Sequence, residues 1–126
     1  MFNRLMLILL LYAYSALACA DTAAEMLPGC QSVVNATLVT ADGIQLPAHQ
    51  SAYECWGAFA TLQQAIATTR DRVSILRVCA PEKSTRPQLI AIFVKYANDH
   101  PEQLHERFFD VALAALRGAF PCPSPK

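Results

Sequence analysis

The sequence predicts an all-α fold, a compact bundle of four to five helices stapled by disulfides. Three observations carry this. Apolar residues recur at helical spacing in separate stretches. Four cysteines remain once an export leader is set aside. The one short extended candidate, Val73, Ile75, Leu76 and Val78, has no partner strand in view.

The chain has 126 residues, enough for one domain. Residues 1–20 read as a signal peptide: Arg4 supplies the basic start, Leu5 to Ala18 the apolar run, and Ala18-Cys19-Ala20 the small-x-small cleavage site before Asp21. A lipid anchor on Cys19 is the minor alternative, with Ala16 where a lipobox places Leu. Residues 21–126 form the remaining domain. The leader takes Arg4 with it and leaves nine basic against ten acidic residues. A chain so close to neutral has no electrostatic footprint for nucleic acid or for an anionic membrane.

The first helix is expected over about Thr22 to Asn35, with Pro28 and Gly29 delaying or kinking it. Leu38 to Gln50 reads as a loop, because Asp42-Gly43 signals a turn and Pro47 breaks helices. A second helix is expected from Ser51 to Thr69, with Cys55, Phe59, Leu62 and Ile66 on one face. Trp56 and Phe59 read as core. Gly57 lowers helix propensity there, so it marks a close approach by a neighbouring backbone. Arg72 to Pro81 is a connector. The third helix starts at Thr85, where Gln88 completes a capping box and Pro87 fits the first turn. Leu89, Ile92, Phe93 and Tyr96 make its buried stripe.

The fourth helix is expected from His100, with Pro101 and Glu102 in its first turn, to Phe120, where Pro121 and Pro123 forbid continuation. Two stripes, Leu104/Phe108/Val111/Ala115 and Phe109/Leu113/Leu116/Phe120, span roughly 200° of it, about twice a common surface stripe. Such a helix is packed centrally or shared with a partner chain. His105 falls inside the apolar arc, as a half-buried histidine or a pH-sensitive group at a packing seam.

Short connections make successive helices antiparallel. That brings Cys30 towards Cys55 and Cys79 towards Cys122, the pairing expected among three connectivities. A four-thiolate zinc site is the competing reading, but the cysteines lie 25, 24 and 43 residues apart, without the close pairs zinc uses. His100 and His105 diverge by about 140° on a helix and cannot share a metal within it. Glu102 and Glu106 are four apart, but adjacent helical acids read as a solvated face. No nucleophile motif, Gly-rich phosphate loop or metalloprotease motif is visible. No metal, cofactor or catalytic residue is expected.

Several stretches carry a resemblance. They are Cys79-Ala80-Pro81, Gln88-Leu89, Val94-Lys95-Tyr96, His100-Pro101-Glu102-Gln103-Leu104-His105, Ala112 to Leu116 and Phe120-Pro121-Cys122, with Leu27-Pro28-Gly29-Cys30 and Cys55-Trp56-Gly57 matching more loosely. Together they resemble the Rap/Tai family of bacterial immunity proteins associated with type VI secretion. The resemblance implies a compact helical domain in the periplasm, often a homodimer, that binds and blocks a peptidoglycan amidase and has no catalytic residues of its own. It also singles out Gly57, Pro81, His100, Pro101, Glu102, His105 and Pro121 as motif positions. One departure is visible: the family continues this motif with Gly-Tyr and another Gly one turn later, whereas here Gly57 is followed by Ala58 and Phe59, with Thr61 at the later Gly position. Polar loops at Glu82 to Arg86 and Asn98 to Glu102 are the candidates for specificity. Two other readings are a periplasmic chaperone-like binding module, motivated by His105 and the surplus apolar surface, and a hydrolase with an unfamiliar site.

Overall fold

A computed structural model describes residues 21–69 and 75–124. The leader reading falls on residues 1–20, outside the described ones. The described residues hold helix α1 (Ala23–Ala36), a hairpin of β1 (Leu38–Thr40) and β2 (Gly43–Gln45), α2 (Gln50–Thr68), α3 (Arg86–Asp99), a 3-10 turn (Pro101–Gln103) and α4 (Phe108–Ala119).

α1 begins on a reciprocal cap. The Thr22 hydroxyl accepts the Glu25 N–H at 3.3 Å, and the Glu25 carboxylate accepts the Thr22 N–H at 2.8 Å. The bonds that the Thr22 N–H and hydroxyl donate hold the Glu25 carboxyl below its ordinary pKa. This cap is therefore intact at neutral pH, and its contribution is lost as pH falls through that lowered value. The helix runs unbroken through Pro28, so the expected late start is not observed; Pro28 lies on the exposed side. Ala23, Met26, Leu27, Cys30 and Val33 are buried, one face at helical period.

Leu38 to Gln50 is not simply a loop. β1 and β2 pair antiparallel, with Val39 opposite Ile44, around a two-residue turn that ends at Gly43 with φ of +132°. Strands of three residues are too short to show alternation in the sequence. Every hairpin residue is exposed.

α2 buries Ala52, Cys55, Phe59, Leu62 and Ile66. α3 is capped by the Thr85 hydroxyl, which accepts the Gln88 N–H at 3.4 Å. Its buried face is turned slightly from the expected stripe. Ile90 and Ala97 are enclosed, whereas Ile92 and Tyr96 are half-buried.

The fourth helix begins at Phe108, eight residues later than expected. A tertiary contact overrides the local pattern. Uncapped helix starts leave N–H groups without partners. Here the Ala23 N–H donates to the Glu106 carbonyl and the Ala24 N–H to the Leu104 carbonyl, each at 2.9 Å. A continuous helix would give the Leu104 carbonyl to the Phe108 N–H, which donates instead to the Asp21 carbonyl at 2.9 Å. The turn over residues 104–107, with only Arg107 extended, is held against the start of α1.

α1 and α3 each pack against the three other helices, and α4 packs mainly on α1 and α3. α4 is thus not the central helix. It buries Phe108, Val111, Ala112, Ala115 and Leu116, while Phe109 remains 45 % exposed. Phe59, Phe93 and Phe108, from α2, α3 and α4, meet with ring centroids 5.1–5.8 Å apart. Such aromatic pairs add about 0.5–1.5 kcal/mol each beyond area burial.

Two disulfides join the bundle. Cys30 and Cys55 are fully buried with Cα atoms 5.3 Å apart, tying α1 to α2. Cys79 and Cys122 have Cα atoms 5.0 Å apart and tie the connector to the tail, beside a Cys79 N–H to Phe120 carbonyl bond of 2.9 Å. Cys79 is exposed and Cys122 half-buried. Reductant attacks an exposed bond first. Mild reduction of the native protein is therefore expected to open Cys79–Cys122 while Cys30–Cys55 survives. Alkylation and peptide mass spectrometry read this directly, and equal loss of both bonds would contradict it.

α1 and α2 approach closely at one glycine. A Cβ added at Gly29 would lie 2.2 Å from the Ser51 carbonyl oxygen and 2.6 Å from its carbon. The close approach expected at Gly57 is at Gly29 instead. Among the described residues, nothing beyond the helix's own nearby backbone comes within 4 Å of a Cβ at Gly57.

Candidate functional site

The H-P-E-x-x-H motif builds a corner. His100 ends α3, its N–H bonded to the Tyr96 carbonyl at 3.0 Å and its Nδ1 2.9 Å from the same oxygen. Its ring stacks on Tyr96 at 4.0 Å. Pro101 and Glu102 are exposed in the 3-10 turn, which the Tyr96 hydroxyl braces by donating to the Gln103 side-chain oxygen at 3.2 Å. The corner delivers residues 104–108 to the start of α1.

His105 is not in an apolar arc. Its side chain is 77 % exposed, with Nε2 3.3 Å from a Glu106 oxygen. The break before α4 that removes residues 101–106 from an α-helix turns it outward. The same break separates Glu102 from Glu106, and no group of three His, Cys, Asp or Glu able to hold a metal occurs among the described residues. Pro81 and Pro121 are exposed beside the Cys79–Cys122 bond.

The loop at Glu82 to Arg86 is anchored from beneath. Gln63 donates to the Ser84 carbonyl and accepts from Arg86, whose guanidinium lies 4.6 Å from the Trp56 ring centroid. Trp56 is thus half-covered by a cation, and Phe59 is fully buried. At the other candidate turn, the Lys95 ammonium bonds Asp99 at 2.6 Å and holds that carboxyl below its ordinary pKa. The pair is exposed, so salt screens it.

A concavity lies elsewhere, between the starts of α1 and α4 and the first half of α2. It is a cleft of about 590 Å³. It is lined by Met26 and Phe108, both nearly inaccessible, by half-buried Ala58 and exposed Gly57, and by Tyr53 and Phe109, 54 % and 45 % exposed. Asp21, Glu54, Asp110 and Arg107 complete the lining, with the Arg107 guanidinium 2.7 Å from Asp110. The sequence singled out Gly57 but not Tyr53 or Phe109 as cleft residues. The over-wide apolar arc of the fourth helix was the available signal, since Phe109 is the part of that arc the core does not use.

A family model for Rap1a immunity proteins matches residues 22–122, from the Thr22 cap to the last cysteine of the second disulfide. The chain belongs to the Rap1a immunity protein family. No curated protein and no solved structure matches it. Proteins of this family bind a partner effector. For a Rap1a-family chain, a functional site is therefore a protein-binding surface, and the exposed apolar groups come first. These are the cleft with Tyr53 and Phe109, and the hairpin, where Leu38, Val39 and Ile44 are 45–78 % exposed.

Gly57 lies in the middle of α2, where glycine costs about 0.5–1 kcal/mol relative to alanine. Its Cβ direction is open, so Gly57→Ala is expected to stabilise the free protein by about that amount. Thermal unfolding should show a melting temperature raised by a few degrees; a lowered value would mean that Gly57 does serve the isolated fold.

Proposed function

We propose that this chain is a periplasmic immunity protein, in family terms often a homodimer, that binds and occludes a type VI secreted peptidoglycan amidase. The family match carries the reading, because it spans the whole disulfide-stapled domain. Two disulfides suit an oxidising compartment, and the leader read in residues 1–20 would take the chain there. Inhibition by occlusion requires no catalytic group, only a surface complementary to the enzyme. The chaperone-like reading loses one of its two motives, because His105 is exposed; the exposed apolar surface that also motivated it remains.

The test is protection in cells. Any peptidoglycan amidase encoded beside this gene, directed to the periplasm of a Gram-negative host, is expected to lyse cells. The full chain should prevent lysis, and a version lacking residues 1–20 should not. Lysis undiminished by the full chain would sink the reading, and equal protection without the leader would sink the compartment.

A further inference from the structure

Gly57 has no role that the chain itself explains. It weakens a helix interior, a side chain there would meet nothing, and it lies in an apolar cleft between half-exposed Tyr53 and Phe109. A glycine at such a place leaves room for another molecule to come close. A cleft of about 590 Å³ is of the size that encloses a bound group, and buried apolar pockets are where interface anchors seat.

The lining sets the chemistry of what enters. Asp21, Glu54 and Asp110 face one cation, Arg107, which Asp110 already holds. The Gln50 amide donates to Glu54 at 2.6 Å but brings no charge. Even with the α-ammonium that cleavage before Asp21 would add, the rim stays acidic. We propose that the cleft seats a large apolar side chain of the effector protein, flanked by lysine or arginine residues that meet Glu54 and Asp21. The proposal rests on the immunity reading for the identity of that protein, but the chemistry of the cleft does not. A second copy of this chain fits less well. A contact that brought the clefts of two copies together would also bring their two acidic rims together, and like charges across an interface cost affinity.

Random peptides displayed on phage, selected on the mature oxidised protein, test this. Expected winners carry a large apolar residue with basic neighbours. Their affinity, measured by fluorescence polarisation, should fall at least tenfold on Gly57→Trp and on Glu54→Lys but not on Gly57→Ala. Gly57→Trp should retain the wild-type fold, since its Cβ points into open space. Acidic winners, no winners, or basic–apolar winners that bind Gly57→Trp unchanged would each overturn the proposal. So would a wild-type dimer that light scattering shows split by Gly57→Trp, because the cleft would then belong to a second copy. In the protection assay, a protecting wild type with an equally protecting Gly57→Trp also overturns it. A wild type that fails to protect defeats the immunity reading instead, and the peptides then judge the cleft alone.

Discussion

Replacing Cys30 and Cys55 together by alanine is expected to cost the folded domain about 4–5 kcal/mol. The cross-link closes 25 residues, for which the chain-entropy model gives about 3.5 kcal/mol. Both sulfurs are fully buried, and the voids they leave add to that. Small domains have only about 5–15 kcal/mol in total, so the variant should be near the edge of folding at 37 °C. The second bond discriminates between the two contributions. Cys79–Cys122 closes a longer loop of 43 residues, and entropy alone makes it the larger loss, about 4 kcal/mol. Its cysteines are exposed or half-buried, so little cavity cost accompanies their removal. Urea denaturation of both double variants decides. A larger loss for Cys30/Cys55 supports the packing argument, and a larger loss for Cys79/Cys122 means that loop closure alone governs.

Gly29→Ala is expected to cost about 3 kcal/mol, at the upper end for overpacking. The obstacle is backbone: the Ser51 carbonyl would lie 2.2 Å from the new Cβ, in the first turn of α2. A flexible side chain could move aside, but a helical carbonyl moves only with its helix. The strain would pass to the neighbouring Cys30–Cys55 bond, which joins the same two helices. Gly29→Ala and Gly57→Ala therefore form an internal comparison, one methyl group each with opposite signs. Thermal melts of the two variants should move in opposite directions. A Gly29→Ala protein as stable as the wild type would mean that α1 and α2 are further apart than described.

The contrast between these glycines shows what was legible in the sequence. A helical glycine announces that space is needed, but not by whom. Position 57 looked like the close approach because it interrupts a clear stripe, whereas Gly29 was masked by Pro28, which suggested a disturbed helix. The stripe of α2 was readable because Cys55, Phe59, Leu62 and Ile66 repeat over three turns and pack on neighbours along their whole length. The Thr85 start was readable because capping is local. The late start of α4 was not, because its cause is 80 residues away. Carbonyls of Leu104 and Glu106 serve the start of α1, and no pattern within 100–108 records that. His105 was misplaced by the same extrapolated helix. The hairpin escaped because three-residue strands carry no period, although its turn signal at Asp42-Gly43 was present. The fold is accordingly mostly helical, with a small sheet.

The proposed function is inhibition of an enzyme by contact. The most direct measurement is a titration of any peptidoglycan amidase encoded beside this gene, purified and digesting isolated peptidoglycan, with the mature oxidised protein. A linear fall in activity that ends at a fixed stoichiometric ratio, with a complex stable in size-exclusion chromatography, is the expected result. Full activity in the presence of a several-fold molar excess, with no complex formed, would contradict it.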